Sequence, residues 1–188
     1  MSARLGRLAP GDLDDEQRQL YDAITDGPRS HGPQAFALLD DDGALEGPFN
    51  AFLLQPRLGQ PLQALGSAVR YQTSLTDRAR EIAILVVANH WESAFEWFAH
   101  AAVGRLAGLS EEELAALRAG EYDGLDEVER LVAATTWQLA DTGDLDDPSY
   151  AAAVATLGEA GLFELLTLTG YYAALALQLR VFRVSTPG

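Results

Sequence analysis

The chain of 188 residues has no cysteine at all, and that absence removes more chemistry than any other single feature of its composition. Disulfides, thiolate metal sites and any cycle through a sulfenic acid are excluded. Basic residues are scarce as well, with 13 Lys and Arg against 28 Asp and Glu, a formal net charge of −15 and a pI near 4.4. A chain so acidic does not offer the basic face that a phosphate backbone selects for, so no nucleic-acid partner is expected. The same charge slows the long-range approach of an anionic substrate. No basic segment followed by an apolar run opens the chain, because MSARLGRLAPGDLDDEQ turns polar at once, and the expected location is the cytoplasm. There is no glycine-rich phosphate loop and no Gly-x-Ser-x-Gly elbow, which leaves nucleotide and α/β-hydrolase chemistry without support. Strand alternation is missing too.

What is present is helical grammar. Asp14 to Thr25 reads as a short amphipathic helix carrying Leu20, Tyr21 and Ile24, after an extended arm over residues 1–10. Turn-rich loops follow at residues 27–33, where His31 reads as a solvated loop residue, and at 38–48. Phe49, Phe52 and Leu53 suggest a short helix. Pro61 suits the first turn of the next, with Leu62, Leu65 and Val69 as its inward stripe. Thr76 is a candidate N-cap for a nearly all-apolar helix from Asp77 to about Asn89. Ser93 and Glu96 fit a Ser-x-x-Glu capping box, predicting a break over residues 90–92 and a new helix from Ala94 to Leu106, with Gly108 as its stop. Ser110 opens a helix to Gly120, Asp126 opens another to about Leu139, and Asp147-Pro148 pairs an N-cap with a first-turn proline. Residues 162–179 approach the length of a membrane span but carry Thr167, Thr169, Gly170, Tyr171, Tyr172 and Gln178, so they read as a core or subunit-interface helix, and no membrane partner is expected. The length and pattern predict one all-α domain over residues 1–188, with 1–45 as an arm, short helix and loops.

Within the apolar stretch from Arg80 to Ser110, three glutamates and two histidines fall in twenty residues: Glu81, Glu92 and Glu96, His90 and His100. Buried ionisable groups cost free energy unless they are paired, so the cluster points to packing or to chemistry. Glu96 and His100 are four residues apart and share a helix face. If the chain reverses at 90–92, Glu81 and His100 each lie about nine residues from the turn and come level with each other. A histidine beside carboxylates is a proton carrier near neutral pH. Plainer readings stand beside this one: Glu96 as a cap, His100 as a core histidine, Glu81 paired with Arg78 or Arg80, and Phe95, Trp97 and Phe98 as core. His100 has no second histidine three or four residues on, so no metal is expected.

The segment LTDRAREIAILVVANHWESAFEWFAHAAVGRLAGLS (residues 75–110) resembles the carboxymuconolactone decarboxylase family, which includes the alkylhydroperoxidase-D-like proteins. Weaker similarity covers residues 47–53 and 161–182. The resemblance implies an all-helical bundle assembled as a homo-oligomer, a trimer or hexamer. In the family's peroxidase branch a glutamate, a Cys-x-x-Cys pair and a histidine form a proton relay. Here these fall on Glu81, Ser93, Glu96 and His100. Both sulfurs are gone, so thiol peroxidase chemistry is excluded. The decarboxylase branch needs no thiol and no cofactor. It implies a carbon–carbon lyase acting on a small carboxylated or lactone-like metabolite of aromatic catabolism. His100 would be the proton carrier, Glu96 its partner or second acid and Glu81 the orienting group, with His90, Trp97 and Ser93 as substrate-binding candidates. Repurposing for isomerisation, dehydration or cyclisation, or a non-catalytic helical oligomer, are the alternatives. Arg70, Arg78, Arg80 and Arg105 all lie near the motif, and the spacing does not say which of them meets a substrate carboxylate.

Overall fold

The computed structural model describes residues 3–27 and 37–186; the loop reading at 28–33, including His31, lies outside them. Among the described residues the architecture is all-helical: α1 (Asp15–Thr25), α2 (Pro48–Phe52), α3 (Pro56–Tyr71), α4 (Asp77–His90), α5 (Ala94–Leu106), α6 (Glu111–Ala119), α7 (Glu127–Thr142) and α8 (Asp147–Phe182). A 3₁₀ turn at Pro10–Asp12 precedes α1. Caps account for most boundaries. Asp14 with Gln17 and Ser110 with Glu113 form complete capping boxes, while Thr76, Asp126 and Asp146 each accept one free amide of the first turn. The last cap is Asp146 rather than Asp147, which places Pro148 at the second helical position.

Helix α4 is the axis of the bundle, because it is apolar on nearly every face. Ala79 and all residues from Glu81 to Ala88 are buried, and the helix packs against α5, α6, α7 and α8. On one side Ala83, Ile84 and Val87 join a core with Leu165, Leu168, Tyr172 and Leu175 of α8 and with α1 to α3. On the other, Ile82, Leu85 and Val86 meet Leu114 and Leu117 of α6 and Ala133 of α7. Helix α8 is long and apolar enough to span a membrane by length and composition, yet it bends at Gly158, whose φ is 71°, and seats Leu165, Leu168, Tyr172 and Leu175 in this core.

The N-terminal arm is tied down. Asn50, buried in α2, accepts a bond from the Leu8 amide at 3.0 Å and donates one to the Gly6 carbonyl at 2.9 Å, while the Arg4 amide donates to Phe182 O. Gly47, with φ of 63°, starts α2 beneath the Phe95 ring, where a Cβ would sit 2.5 Å from a ring carbon.

Two expectations about α3 are corrected. The helix starts at Pro56, so Pro61 falls inside it, one turn past the amides that are free anyway. The Arg57 carbonyl then loses its helical donor but lies on an exposed stretch where water replaces it. The inward face is Gly59, Gln63, Gly66 and Val69, and Leu65 points out. Close approach explains the rotation: a Cβ on Gly59 would lie 2.4 Å from the Phe52 carbonyl oxygen, so only a glycine face fits against α2.

Candidate active site

The reversal between α4 and α5 falls where the sequence predicts it but uses another device. The Ser93 amide donates to Ala88 O at 2.8 Å and the Glu92 amide to Asn89 O at 3.1 Å, with Glu92 left-handed at φ 50°. This is a Schellman ending with a glutamate in the position glycine usually takes. It also explains why the capping box of Ser93 and Glu96 does not form. The reciprocal bond of that box needs the amide of Ser93, and Ala88 has already taken it. Glu96 therefore turns inward instead of reaching back.

The reversal sets Glu81 of α4 beside His100 of α5. His100 Nδ1 lies 2.7 Å from Glu81 Oε2, both side chains being buried and Glu81 fully so. Arg80 Nε stands 3.8 Å from the other Glu81 oxygen, but Arg80 is directed to Asp77 at 2.6 Å, and Arg78 goes to Glu113 and Glu129, both at 2.7 Å. Glu81 is thus held first by histidine, with Arg80 as a longer ion-pair partner on its other oxygen, while Arg78 does not reach it. The Tyr172 ring of α8 stands edge-to-face on His100 at 5.0 Å, and Tyr171 stands likewise on Tyr172 at 5.3 Å. Sequence reasoning overlooked Tyr172 as a site residue. Its signal was a pair of phenols inside an otherwise apolar run.

Glu96 is buried at 3% exposure, and neither of its oxygens has a hydrogen-bond partner. Burial pushes its pKa up to about 8; the Ser93 hydroxyl, itself buried, lies beside the carboxyl and draws the value back a little without satisfying either oxygen. Glu96 is a neutral acid at pH 7 on the helix that carries His100, one turn before it, and it makes no bond to His100.

His90 and Trp97 are not brought to this pair. His90 ends α4, stacked edge-on between Trp91 at 5.7 Å and Trp137 at 5.3 Å. Trp97 faces α6, with the Arg118 guanidinium 4.4 Å above its ring. His90 lies nine residues from Glu81, about half a turn round the axis of α4, and Trp97, three residues before His100, is turned toward Arg118 of α6 instead. Open clefts of about 280 to 340 Å³ run between α7 and α8, lined by residues such as Arg130, Thr135, Leu139 and Leu166, and none of them borders Glu81, Glu96 or His100. No group of three or more His, Asp or Glu side chains among the described residues is arranged to hold a metal ion.

No family model matches the chain, and no curated protein does. Solved structures match the fold. An uncharacterized peroxidase-related protein from Ralstonia eutropha JMP134, described as an alkylhydroperoxidase AhpD core, superposes with a TM-score of 0.77 at 11% identity over 98% of this chain and 92% of that one. An uncharacterized peroxidase-related protein from Silicibacter sp. TM1040 gives 0.75 at 11% identity, covering 99% and 92%. A protein of unknown function from Agrobacterium tumefaciens, assigned to AhpD antioxidant defence, gives 0.65 at 22% identity, covering 76% and 99%. The fold is of the alkylhydroperoxidase-D-like type. At these identities the likeness reaches no further than the fold.

Proposed function

We propose that this protein is a cofactor-free acid–base enzyme that decarboxylates a small carboxylated, lactone-like metabolite, with Glu81 and His100 as its proton-handling pair. The observation that carries the reading is the buried 2.7 Å contact between His100 Nδ1 and Glu81 Oε2. A carboxylate on Nδ1 fixes the tautomer and raises the basicity of the ring, so His100 would exchange protons with substrate through Nε2. Glu96, neutral at pH 7, is the second acid. Loss of carbon dioxide from an unsaturated lactone acid leaves a conjugated dienolate, which needs a proton at carbon and shelter from water. A buried imidazole and a buried neutral carboxyl suit both needs. Thiol-based peroxidase chemistry is closed to this chain, which has no cysteine.

The test is a panel of five-membered unsaturated lactone acids, assayed for carbon dioxide release and for deuterium uptake at carbon. Glu81→Gln and His100→Asn keep a hydrogen bond between the two positions and should lower kcat/KM by about 10²- to 10⁴-fold. No turnover of any member by the wild type, or full activity in His100→Asn, refutes the assignment.

The protein is further proposed to be a homo-oligomer, a trimer or hexamer, in the cytoplasm, and an exposed apolar stripe bears on the assembly alone. Phe163, Leu166, Leu177 and Val181 are exposed along one stripe of α8, with Phe163 at 69%. A stripe of that size on a single chain is the kind of face that a second copy covers. Light scattering that returns the mass of one chain would remove this part of the proposal.

A further inference from the structure

Every cationic side chain in this protein is an arginine, since the sequence has no lysine. The four that the sequence leaves open around the motif separate cleanly by what they touch. Arg78 donates to Glu113, Glu129 and the Gly108 carbonyl. Arg80 donates to Asp77 at 2.6 Å. Arg105 holds Glu111 with two bonds, at 2.5 and 3.0 Å. Arg70, near the end of α3, has no such partner. Its Nε is shielded from solvent and unbonded, and its guanidinium finds only the Tyr71 ring, 5.5 Å from the ring centre.

A mostly buried guanidinium without a carboxylate is costly, and this one is not placed at random. It lies within electrostatic reach of Glu81, Tyr171 and Tyr172, the residues that hold or flank His100. Glu81 does not neutralise it by contact, because Glu81 spends one oxygen on His100 at 2.7 Å and has Arg80 as the nearer cation to the other. Tyr71, against which Arg70 packs, is 41% exposed, so the cation sits between the solvent boundary and the interior pair. From this convergence of α3, α4, α5 and α8 we infer that Arg70 is the anion receptor of the site, the residue that takes the carboxylate of a small planar acid and orients it toward His100. A guanidinium fork matches a carboxylate with two parallel bonds, and a partly buried fork whose donors no protein carboxylate uses is suited to take one. In a protein with a formal charge of −15, a small acid needs such a local cation to stay bound. The inference deepens the acid–base reading and rests on it for what happens after binding.

Binding is measured without turnover, by calorimetric titration with 2-furoate and with its uncharged counterpart 2-furamide. The wild type should favour the acid by about tenfold or more, as charged hydrogen bonds of this kind allow. Arg70→Met should bind the two alike, Arg70→Lys should recover part of the preference, and Arg105→Met, a surface pair, should match the wild type. Arg70→Met should also keep or raise the melting temperature, because no protein hydrogen bond is lost; Arg70→Lys keeps the charge if the apolar variant does not fold. Equal binding of acid and amide by the wild type, or a preference that survives in Arg70→Met, overturns the assignment. His100→Asn should keep the preference for the acid. If it does while wild-type protein turns over no lactone acid, the anion site stands and the decarboxylase reading falls.

Discussion

Replacing Glu96 by glutamine tests the most unusual group in the interior. The carboxyl has an ordinary value of 4.5 when the chain is unfolded and about 8 when it is buried. Below pH 4.5 it is protonated in both states and adds no pH dependence to the stability. Between 4.5 and 8 the unfolded chain releases the proton while the folded one keeps it, so rising pH favours unfolding by about 1.4 kcal/mol per unit. The cost reaches about 3 kcal/mol at pH 7 and levels off near 5 kcal/mol above pH 8, where the folded carboxyl ionises too. At 3% exposure there is little solvent screening to reduce it. Against a total stability of about 5–15 kcal/mol this is a large penalty.

Glutamine has the same shape and the same lack of partners but does not ionise. Urea unfolding of wild type and Glu96→Gln, run in parallel from pH 5 to pH 9, should give curves that nearly coincide at pH 5 and part steadily, with glutamine the more stable. Every other titrating group is shared and cancels in the difference, and any constant offset from the amide shifts the level without changing the slope. A difference that stays flat across this range would show that the folded carboxyl is ionised or solvated, and the account of Glu96 as a neutral acid would be wrong.

Asn50→Ala should lower stability by about 2–3 kcal/mol, because it strands the Leu8 amide and the Gly6 carbonyl together. Limited proteolysis should then cut at Arg4 or Arg7 before the core unfolds, and unchanged protection of those sites would contradict the strap. Glu92→Gly should raise the stability slightly, by about 0.5 kcal/mol, since it relieves a left-handed glutamate at φ 50° and gives up only a long, exposed contact of 3.6 Å with Arg180. A clear loss of stability would mean that this contact outweighs the backbone strain.

Helix positions were readable because caps are local. Thr76, Ser110 and Asp126 each needed only their own first turn to be recognised, and the structure uses all three. The Ser93 box failed for a reason no local pattern contains: its amide was claimed from the preceding helix, by Ala88. The pairing of Glu81 with His100 was legible as a matter of level, since both stand about nine residues from the reversal. Direction around the helix axis was not. Four-residue spacing put Glu96 and His100 on one face, yet the carboxyl ends in its own unbonded niche, and His90 and Trp97 stand against Trp137 and Arg118 rather than against the pair. Leu65 was expected inside α3 for its hydrophobicity, but the close contact at Gly59 decides which face turns in. Arg70 was visible only as one of four arginines until the partners of the other three were known.

Arg70 and Glu96, two of the buried groups with unsatisfied polar atoms, carry a consequence when taken together. Each costs stability where it is, and replacement of either by an apolar residue of similar size would remove that cost. They do not neutralise each other, for Glu96 has no hydrogen-bond partner and burial alone raises its pKa. What they have in common is the reaction proposed for the site. A carboxylate that docks on Arg70 brings a negative charge into the interior and meets an existing positive one. When carbon dioxide leaves, that negative charge passes to the dienolate, and a proton from a neutral acid quenches it at carbon. At no point does the interior have to hold a net charge that it lacked before. An ionised Glu96 would defeat this sequence, because it would repel the incoming carboxylate and have no proton to give. On this reading kcat/KM should fall with a pKa near 8 as Glu96 ionises, and the fall should vanish in Glu96→Gln, whose residual rate depends on His100 alone. A descending limb that persists unchanged in Glu96→Gln would assign the essential proton to another group.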